Sequence, residues 1–317
     1  MVKIIGLGPS GAALGATLGR AMAVERVKRY YKACGEAVPV ETPLVSREHV
    51  VDKVRRYRFF SGERLIGEIS YAKPRWYIID KEAWVESLRS AFKSDEEDDG
   101  VVVDARGPYS SAGIKVTVVM TYVEGIKGED ETADFIYPPG RAGFFWVFPH
   151  GDLYNVGGGF LGVGDPTPMV KEFVARLGGR IKALRGAPLT VMPEINLGVE
   201  NAYRIGEAAG LVYPLTGEGI RPGVLSALAL AEALRTKKPL EEYRRRMEPI
   251  VKQIEFQKRL LTLASRTVAR GGAISVLADD DVLRSYIEEN LSARVLLAAL
   301  AKRPLAAVKL LSSLLRR

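Results

Sequence analysis

The stretch Val2-Lys3-Ile4-Ile5-Gly6-Leu7-Gly8-Pro9-Ser10-Gly11-Ala12-Ala13-Leu14-Gly15 decides the fold. Val2 to Ile5 is a short apolar run, the pattern of a buried strand. It breaks into Gly6-x-Gly8-x-x-Gly11, and small residues follow at helical spacing at Ala12, Gly15, Ala16 and Gly19. Gly6 makes a tight strand-to-helix turn, and Gly8 lets a pyrophosphate approach the backbone. Gly11 and Gly15 let the helix lie close on the strand, so that the helix N-terminus points its free N–H groups at the phosphates. The motif predicts a dinucleotide site and, taken alone, leaves NAD and FAD equally open.

At 317 residues the chain is long enough for roughly two domains and a sizeable core. Hydrophobic content of 47% and charged content of 26% are those of an ordinary globular protein. A strand that starts at residue 2 leads us to expect no signal peptide, and no apolar run approaches the ~20 residues of a membrane span. Cys34 is the single cysteine, which excludes an intrachain disulfide and fits a reducing cytoplasm. His49 and His150 are the two histidines, far apart, so a metal site is not expected. Gln occurs twice and Asn four times, a depletion of thermolabile amides that points to a thermophile. The net charge of +8 suggests an anionic partner, and residues 291–317 carry six basic residues and no acidic one.

Beyond the first helix, Val24 to Tyr31 is read as the second strand. A dinucleotide fold places an Asp or Glu at its end, on the ribose hydroxyls. Arg29 or Tyr30 occupies that place here, and Glu25 comes early. Residues 39–74 are short and strand-like, with a turn at Ser61-Gly62. Trp76 to Ile79 is a strand, and Asp80 caps a helix to about Phe92. An acidic turn at Ser94–Gly100 and the strand Val101–Asp104 follow. Residues 114–161 form a meander, then a helix spans about Pro168–Leu177, and Pro188–Pro193 returns to a strand at Ala202–Arg204. A second glycine-rich loop, Ile205–Ile220, opens the helix Val224–Leu234. The rest is helical, over Leu240–Ser265, Ala278–Ala301 and Pro304–Leu315, the last two with an amphipathic basic face suited to a membrane surface.

Four segments together resemble the geranylgeranyl reductase family, within the flavoprotein superfamily of para-hydroxybenzoate hydroxylase. They are Gly6–Gly11, Lys32–Val38 with Cys34-Gly35, Phe144–Gly159 and Ile205–Ile220. The third is the most specific. The family pattern is Tyr-x-Trp-x-Phe-Pro, seven or eight residues, then Gly-x-Gly. Here Phe144-Phe145-Trp146-Val147-Phe148-Pro149 is followed by seven residues and Gly157-Gly158-Gly159, with Phe144 in place of Tyr.

The resemblance implies an α/β protein: a Rossmann-like FAD-binding domain from 1–38, 75–110 and 195–237, a sheet-rich substrate domain from 39–74 and 111–194, and a helical tail from 238. It implies FAD as cofactor, held by Gly6, Gly8, Pro9, Ser10 and Gly11, with Gly107 after the third strand. Cys34 and Gly35 would lie near the flavin, Cys34 closing over it or assisting protonation, and Lys81 stands where an arginine often does. Gly206 and Glu207 (Glu in place of the usual Asp) would meet the ribityl and pyrophosphate region, with Pro214, Gly217, Gly219 and Ile220 at the isoalloxazine. Phe144, Trp146, Phe148, Pro149, Gly157 and Gly159 would line the slot for an isoprenoid lipid. Phe144, Trp146 and Phe148 alternate on a strand and therefore share one face. The implied activity is reduction of prenyl double bonds in a geranylgeranyl lipid precursor, as in archaeal digeranylgeranylglycerophospholipid reductases. Electrons would come from a ferredoxin or a reduced pyridine nucleotide, with peripheral contact at the inner membrane face and no nucleic-acid partner. A flavin monooxygenase or halogenase shares the scaffold. The absent ribose acid would instead suit a non-catalytic lipid- or nucleotide-binding homologue.

Overall fold

The computed structural model describes residues 2–94, 100–269 and 279–302. The chain begins with β1 (Val2–Ile5), α1 (Pro9–Leu18) and β2 (Arg20–Val24), then β3 (Ala37–Pro39), β4 (Val50–Val54), β5 (Arg56–Ser61), β6 (Arg64–Ser70), β7 (Trp76–Ile79) and α2 (Lys81–Ser90). β8 (Lys93–Ser94), β9 (Val101–Asp104), β10 (Ala112–Glu124), β11 (Thr132–Tyr137), β12 (Gly143–His150) and β13 (Leu153–Phe160) precede α3 (Thr167–Arg176) and β14 (Arg180–Glu194). β15 (Gly198–Val199) and β16 (Ala202–Arg204) lead to α4 (Ile220–Ala233), α5 (Pro239–Ala269), α6 (Asp280–Ile287) and α7 (Ala293–Lys302).

The N-terminal apolar run is an inner strand of a six-stranded sheet ordered β15-β16-β9-β1-β2-β8, with β1 parallel to both β2 and β9. The crossover through α1 is short. α1 ends after ten residues at Gly19, whose φ of +75° is the left-handed C-cap that glycine adopts without strain. A Cβ on Gly15 would fall 2.5 Å from the Phe92 ring, so this glycine makes room for Phe92, just beyond α2, and not for the strand. Because α1 stops so early, the second strand is Arg20–Val24 and not Val24–Tyr31. Residues 25–31 carry no regular structure and run over the end of the sheet.

A seven-stranded sheet ordered β14-β10-β13-β12-β11-β5-β6 forms the second layer, joined by a three-stranded sheet, β3-β7-β4. Period-two alternation splits the aromatic run of β12 as expected. Phe144, Trp146 and Phe148 face one side with Phe135, while Phe145 and Val147 face the other, where Phe145 stacks on Phe173 of α3 at 4.4 Å between ring centroids. The α5–α7 helices cover the first of these faces through Leu261, Val282, Tyr286 and Leu296.

The single helix expected over Ala278–Ala301 is two, α6 and α7, because Glu289 sits at φ +54° between them. Ala278, Pro304–Leu315 and most of the acidic turn Ser94–Gly100 lie outside the described residues. No helix among the described residues is long and apolar enough to cross a membrane.

Candidate active site

A cavity of about 1070 Å³ runs from the first glycine loop to the α5–α7 helices. That exceeds the ~300–1,000 Å³ of a drug-sized site and leaves room for a dinucleotide and a second ligand. Gly6, Gly8, Pro9 and Ser10 line one end. Gly6 has φ +93°, and a Cβ there would lie 2.7 Å from the Ala105 carbonyl oxygen, so only glycine makes this turn. Gly11 does not line the cavity: a Cβ on it would be driven into the Gly6 carbonyl, and its absence lets α1 seat on the turn.

The early end of β2 also corrects the reading of the ribose acid. Glu25 is the residue directly after the strand, 19 positions beyond Gly6, and it lines the cavity. Its Oε2 accepts from the Leu7 N–H at 2.6 Å and its Oε1 from the Val27 N–H at 2.9 Å. Arg89 of α2 reaches Glu25 Oε2 at 3.3 Å and donates through Nε to the Leu7 carbonyl at 2.9 Å. An acid therefore stands at the end of β2, where a dinucleotide fold places one, and it pairs with a guanidinium that sequence reasoning missed. Counting forward from the C-cap Gly19, instead of assuming a full-length helix, finds it.

Residues 30–36 bridge the two halves of the cavity. Tyr30 folds over the glycine loop, where a Cβ on Gly8 would lie 3.3 Å from its ring. Lys81 is 2% exposed, donates to the Lys32 carbonyl at 2.6 Å and stands 5.5 Å from the Tyr30 ring centroid. Burial pushes the Tyr30 hydroxyl well above its ordinary pKa, so it stays neutral. Glu207 joins this segment to the second glycine loop: its Oε2 lies 2.5 Å from Lys32 Nζ and its Oε1 accepts from the Thr190 N–H at 2.8 Å. At the end of β9, Asp104 takes a bidentate pair from Arg106, at 3.0 and 2.9 Å, next to Gly107 in the lining. Pro214, Gly217, Gly219 and Ile220 line the middle of the cavity. Gly206 sits behind it, at φ +57°, packed on Ser10 and Gly223.

The aromatic face forms the far half. Phe144, Trp146, Phe148 and Gly159 line the cavity together with Phe135 and Tyr286. Pro149 and Gly157 lie behind that lining. A Cβ on Gly157 would run into the Trp146 ring, so this glycine makes room for the indole. Gly35 does the same for Phe148, with 2.7 Å to its ring from a Cβ.

A buried polar chain ties the wall to the Cys34 loop. The Trp146 indole N–H donates to Asn155 Oδ1 at 2.8 Å, and Asn155 Nδ2 donates to the Cys34 carbonyl at 2.9 Å and to Glu36 Oε2 at 3.2 Å. Asn155 is fully buried, so every one of its partners matters. Glu36 is 4% exposed, with the Tyr122 hydroxyl donating at 2.7 Å. His150 Nε2 stands 3.2 Å from Glu36, at an angle outside hydrogen-bond geometry. Burial pushes the Glu36 carboxyl up, but His150, Lys81 and Tyr122 together hold it below the usual carboxylate range. Cys34 lines the cavity, and its sulfur accepts from the Glu36 N–H at 3.3 Å. Asn155 and Glu36 carry no motif signal; they show only once β12, β13 and the loop are placed side by side. Among the described residues no cluster of three or more His, Cys, Asp or Glu can hold a metal ion.

The fold is that of the FAD-binding, Rossmann-like reductases and monooxygenases. Within that class the chain resembles the geranylgeranyl reductases, in sequence and in structure. It is 27% identical over 164 residues to the geranylgeranyl diphosphate reductase of Rhodobacter capsulatus; that match covers 44% of this chain and 42% of the relative. The chain thus matches less than half the length of that curated relative. A geranylgeranyl bacteriochlorophyll reductase-like protein of Thermoplasma acidophilum superposes with a TM-score of 0.76 at 17% identity, over 98% of each chain. A flavin-dependent brominase gives a TM-score of 0.66 at 12% identity, over 91% of this chain and 92% of its own. The p-nitrophenol 4-monooxygenase of Pseudomonas putida gives 0.65 at 18%, over 98% and 97%. No family model matches the sequence.

Proposed function

We propose that the protein is an FAD-dependent oxidoreductase that saturates prenyl double bonds of a geranylgeranyl lipid precursor. The observation that carries this reading is the continuity of the cavity from the glycine loop, with Glu25 at its edge, into an aromatic and aliphatic slot. The residues fit a bound dinucleotide: Gly6 admits a turn no other residue makes, and the α1 N-terminus offers unpaired N–H groups. Glu25 offers carboxylate oxygens to a ribose. When bound and reduced, FAD supplies the hydride that such a saturation needs at one carbon. The chain itself must bind and orient the apolar substrate, exclude water and deliver a proton to the other carbon.

Phe144, Trp146 and Phe148 give a flat wall against which an isoprenoid lies. The Cys34 thiol, at the boundary between wall and dinucleotide end, is the group we assign to protonation. Leu261, Leu296 and Leu300 extend the slot for the tail of a long chain. The neighbouring brominase and monooxygenase folds make an aromatic substrate the alternative, but Leu261, Leu296 and Leu300 carry the apolar lining beyond the aromatic wall, as a long chain needs.

Purified protein reconstituted with FAD and reduced anaerobically, then supplied with a geranylgeranyl lipid, should give products heavier by two hydrogens per bond reduced. Oxygen-dependent hydroxylation or halogenation of an aromatic substrate, with no prenyl reduction, would overturn the proposal. A ferredoxin or a reduced pyridine nucleotide would supply the electrons, and the basic stretch of residues 291–317 would meet the membrane that holds the lipid.

A further inference from the structure

Leu215 and Thr216 lie in the second glycine-rich loop and line the cavity. The C-terminal helices grip this dipeptide from three sides. The Leu215 N–H donates to Gln257 Oε1 of α5 at 3.2 Å, and the Leu215 carbonyl accepts from the Tyr286 hydroxyl of α6 at 3.1 Å. The Thr216 hydroxyl meets one carboxyl oxygen of Glu289, while the other accepts from Gln257 Nε2 at 2.6 Å. Gln257 is fully buried and Glu289 is 6% exposed. Glu289 also sits in the left-handed backbone region that a side-chain-bearing residue rarely adopts, at the break between α6 and α7. Burial makes a charge on that carboxyl costly, and among the described residues no cation touches it to offset the cost.

We propose that Glu289 is a positioning residue for the flavin loop: as a neutral acid it clamps Leu215–Thr216, and its ionisation releases them. Calling that segment the flavin loop rests on the FAD reading above; the clamp itself does not.

The groups facing Glu289 support a neutral acid. Glu218 and Tyr213 stand in the loop, Arg221 in the first turn of α4, and Tyr286 on α6, with neutral Thr216 and Gln257 in direct contact. Arg221 is committed to Glu218, donating its backbone N–H at 2.8 Å and standing 3.6 Å from the other oxygen. Burial, then the Glu218 charge, push Glu289 up to about 8, against the opposing hydrogen bonds of Thr216 and Gln257 and the charge of Arg221. A neutral carboxyl also brings an O–H to the Thr216 hydroxyl, so the pair stays bonded with either group as donor.

Linkage fixes the sign. An opened loop exposes Glu289 to water, where its pKa returns toward 4.5. Opening therefore becomes easier as pH rises from about 4.5 to about 8, by about tenfold per unit, and levels off above.

The test is hydrogen exchange of residues 214–219 in the full-length, FAD-free protein, corrected for intrinsic rates. In the wild type, protection should fall about tenfold per pH unit between pH 5 and 8. Glu289→Gln, which keeps a neutral polar side chain, should show a dependence shallower by one proton and protection at pH 8 no lower than wild type. Thr216→Val leaves Glu289 intact and should lose protection already at pH 5, which tests the contact even if Glu289→Gln does not fold. Equal pH dependence in wild type and Glu289→Gln, or unchanged protection in Thr216→Val, would overturn the clamp. FAD titration at pH 6 and pH 8 runs alongside: a wild type that binds FAD at neither pH sinks the FAD reading, while exchange still decides the clamp.

Discussion

A Cβ on Gly206 would fall 2.8 Å from the Cβ of Ser10 and closer still to its hydroxyl, so the two glycine-rich segments meet face to face. The Gly206 N–H is held by Ser226 Oγ at 2.9 Å, which leaves the segment no room to retreat. Neither loop is thus an independent ligand-binding feature: the second braces the start of α1 that the first creates. Gly206→Ala adds this overlap to a backbone at φ +57°, each worth ~1–3 kcal/mol. A lower melting temperature and an FAD affinity reduced more than tenfold are expected; calorimetry and a flavin fluorescence titration measure both.

Glu25→Gln tests the ribose acid. Its carboxylate makes charge-assisted bonds of the kind worth ~1.5–3 kcal/mol, so FAD binding should weaken roughly ten- to a hundredfold. Its pairing with Arg89 is partly exposed, and the melting temperature should move little. Unchanged affinity would show that Glu25 serves only the loop it caps here.

Trp146→Ala removes the centre of the aromatic wall. Flavin should stay bound while kcat/KM for a prenyl substrate drops at least tenfold, because the indole lies in the substrate half of the cavity. A Trp146→Phe variant that keeps the wall but leaves Asn155 Oδ1 without its 2.8 Å donor separates packing from the polar chain. Loss of flavin from Trp146→Ala would contradict the assignment of β12 to the substrate.

Acid stability reports on Glu36. Its folded carboxyl titrates below the ordinary value of 4.5, so it contributes stability above that pH, and the contribution is lost as pH falls through the folded value. Thermal melts from pH 6 down to pH 3 should show a decline that Glu36→Gln makes shallower. Identical slopes in the two proteins would remove Glu36 from the account of acid stability.

The strand-turn-helix at the N-terminus, the alternation of β12 and the glycine loop before α4 were legible because each rests on local spacing. The second strand was misplaced because a ten-residue helix gives no warning of its length apart from Gly19. That single error hid Glu25. The division of the helical tail at Glu289 was passed over although Asn290 and Ser292, poor helix formers, stand there, and the Ser292 hydroxyl accepts from the Val295 N–H at 3.3 Å at the start of α7. Asn155, Glu36 and Arg89 join segments remote in sequence, and no periodicity within one segment announces such a partner.

The parallel pairing of β5 with β11, from Arg56 opposite Thr132 to Ser61 opposite Tyr137, has a consequence for biosynthesis. The seven-stranded sheet needs β14, ending at Glu194, and the six-stranded sheet needs β16, ending at Arg204. A nascent chain emerging from the ribosome thus completes both sheets almost together, late, with many open edges until then. Such long-range pairing makes for slow folding and for exposure to aggregation. The strands of the two sheets alternate along the chain, so no single cut in the gene separates them and neither fragment should be soluble, while production of the intact protein should respond to the pace of translation and to chaperones.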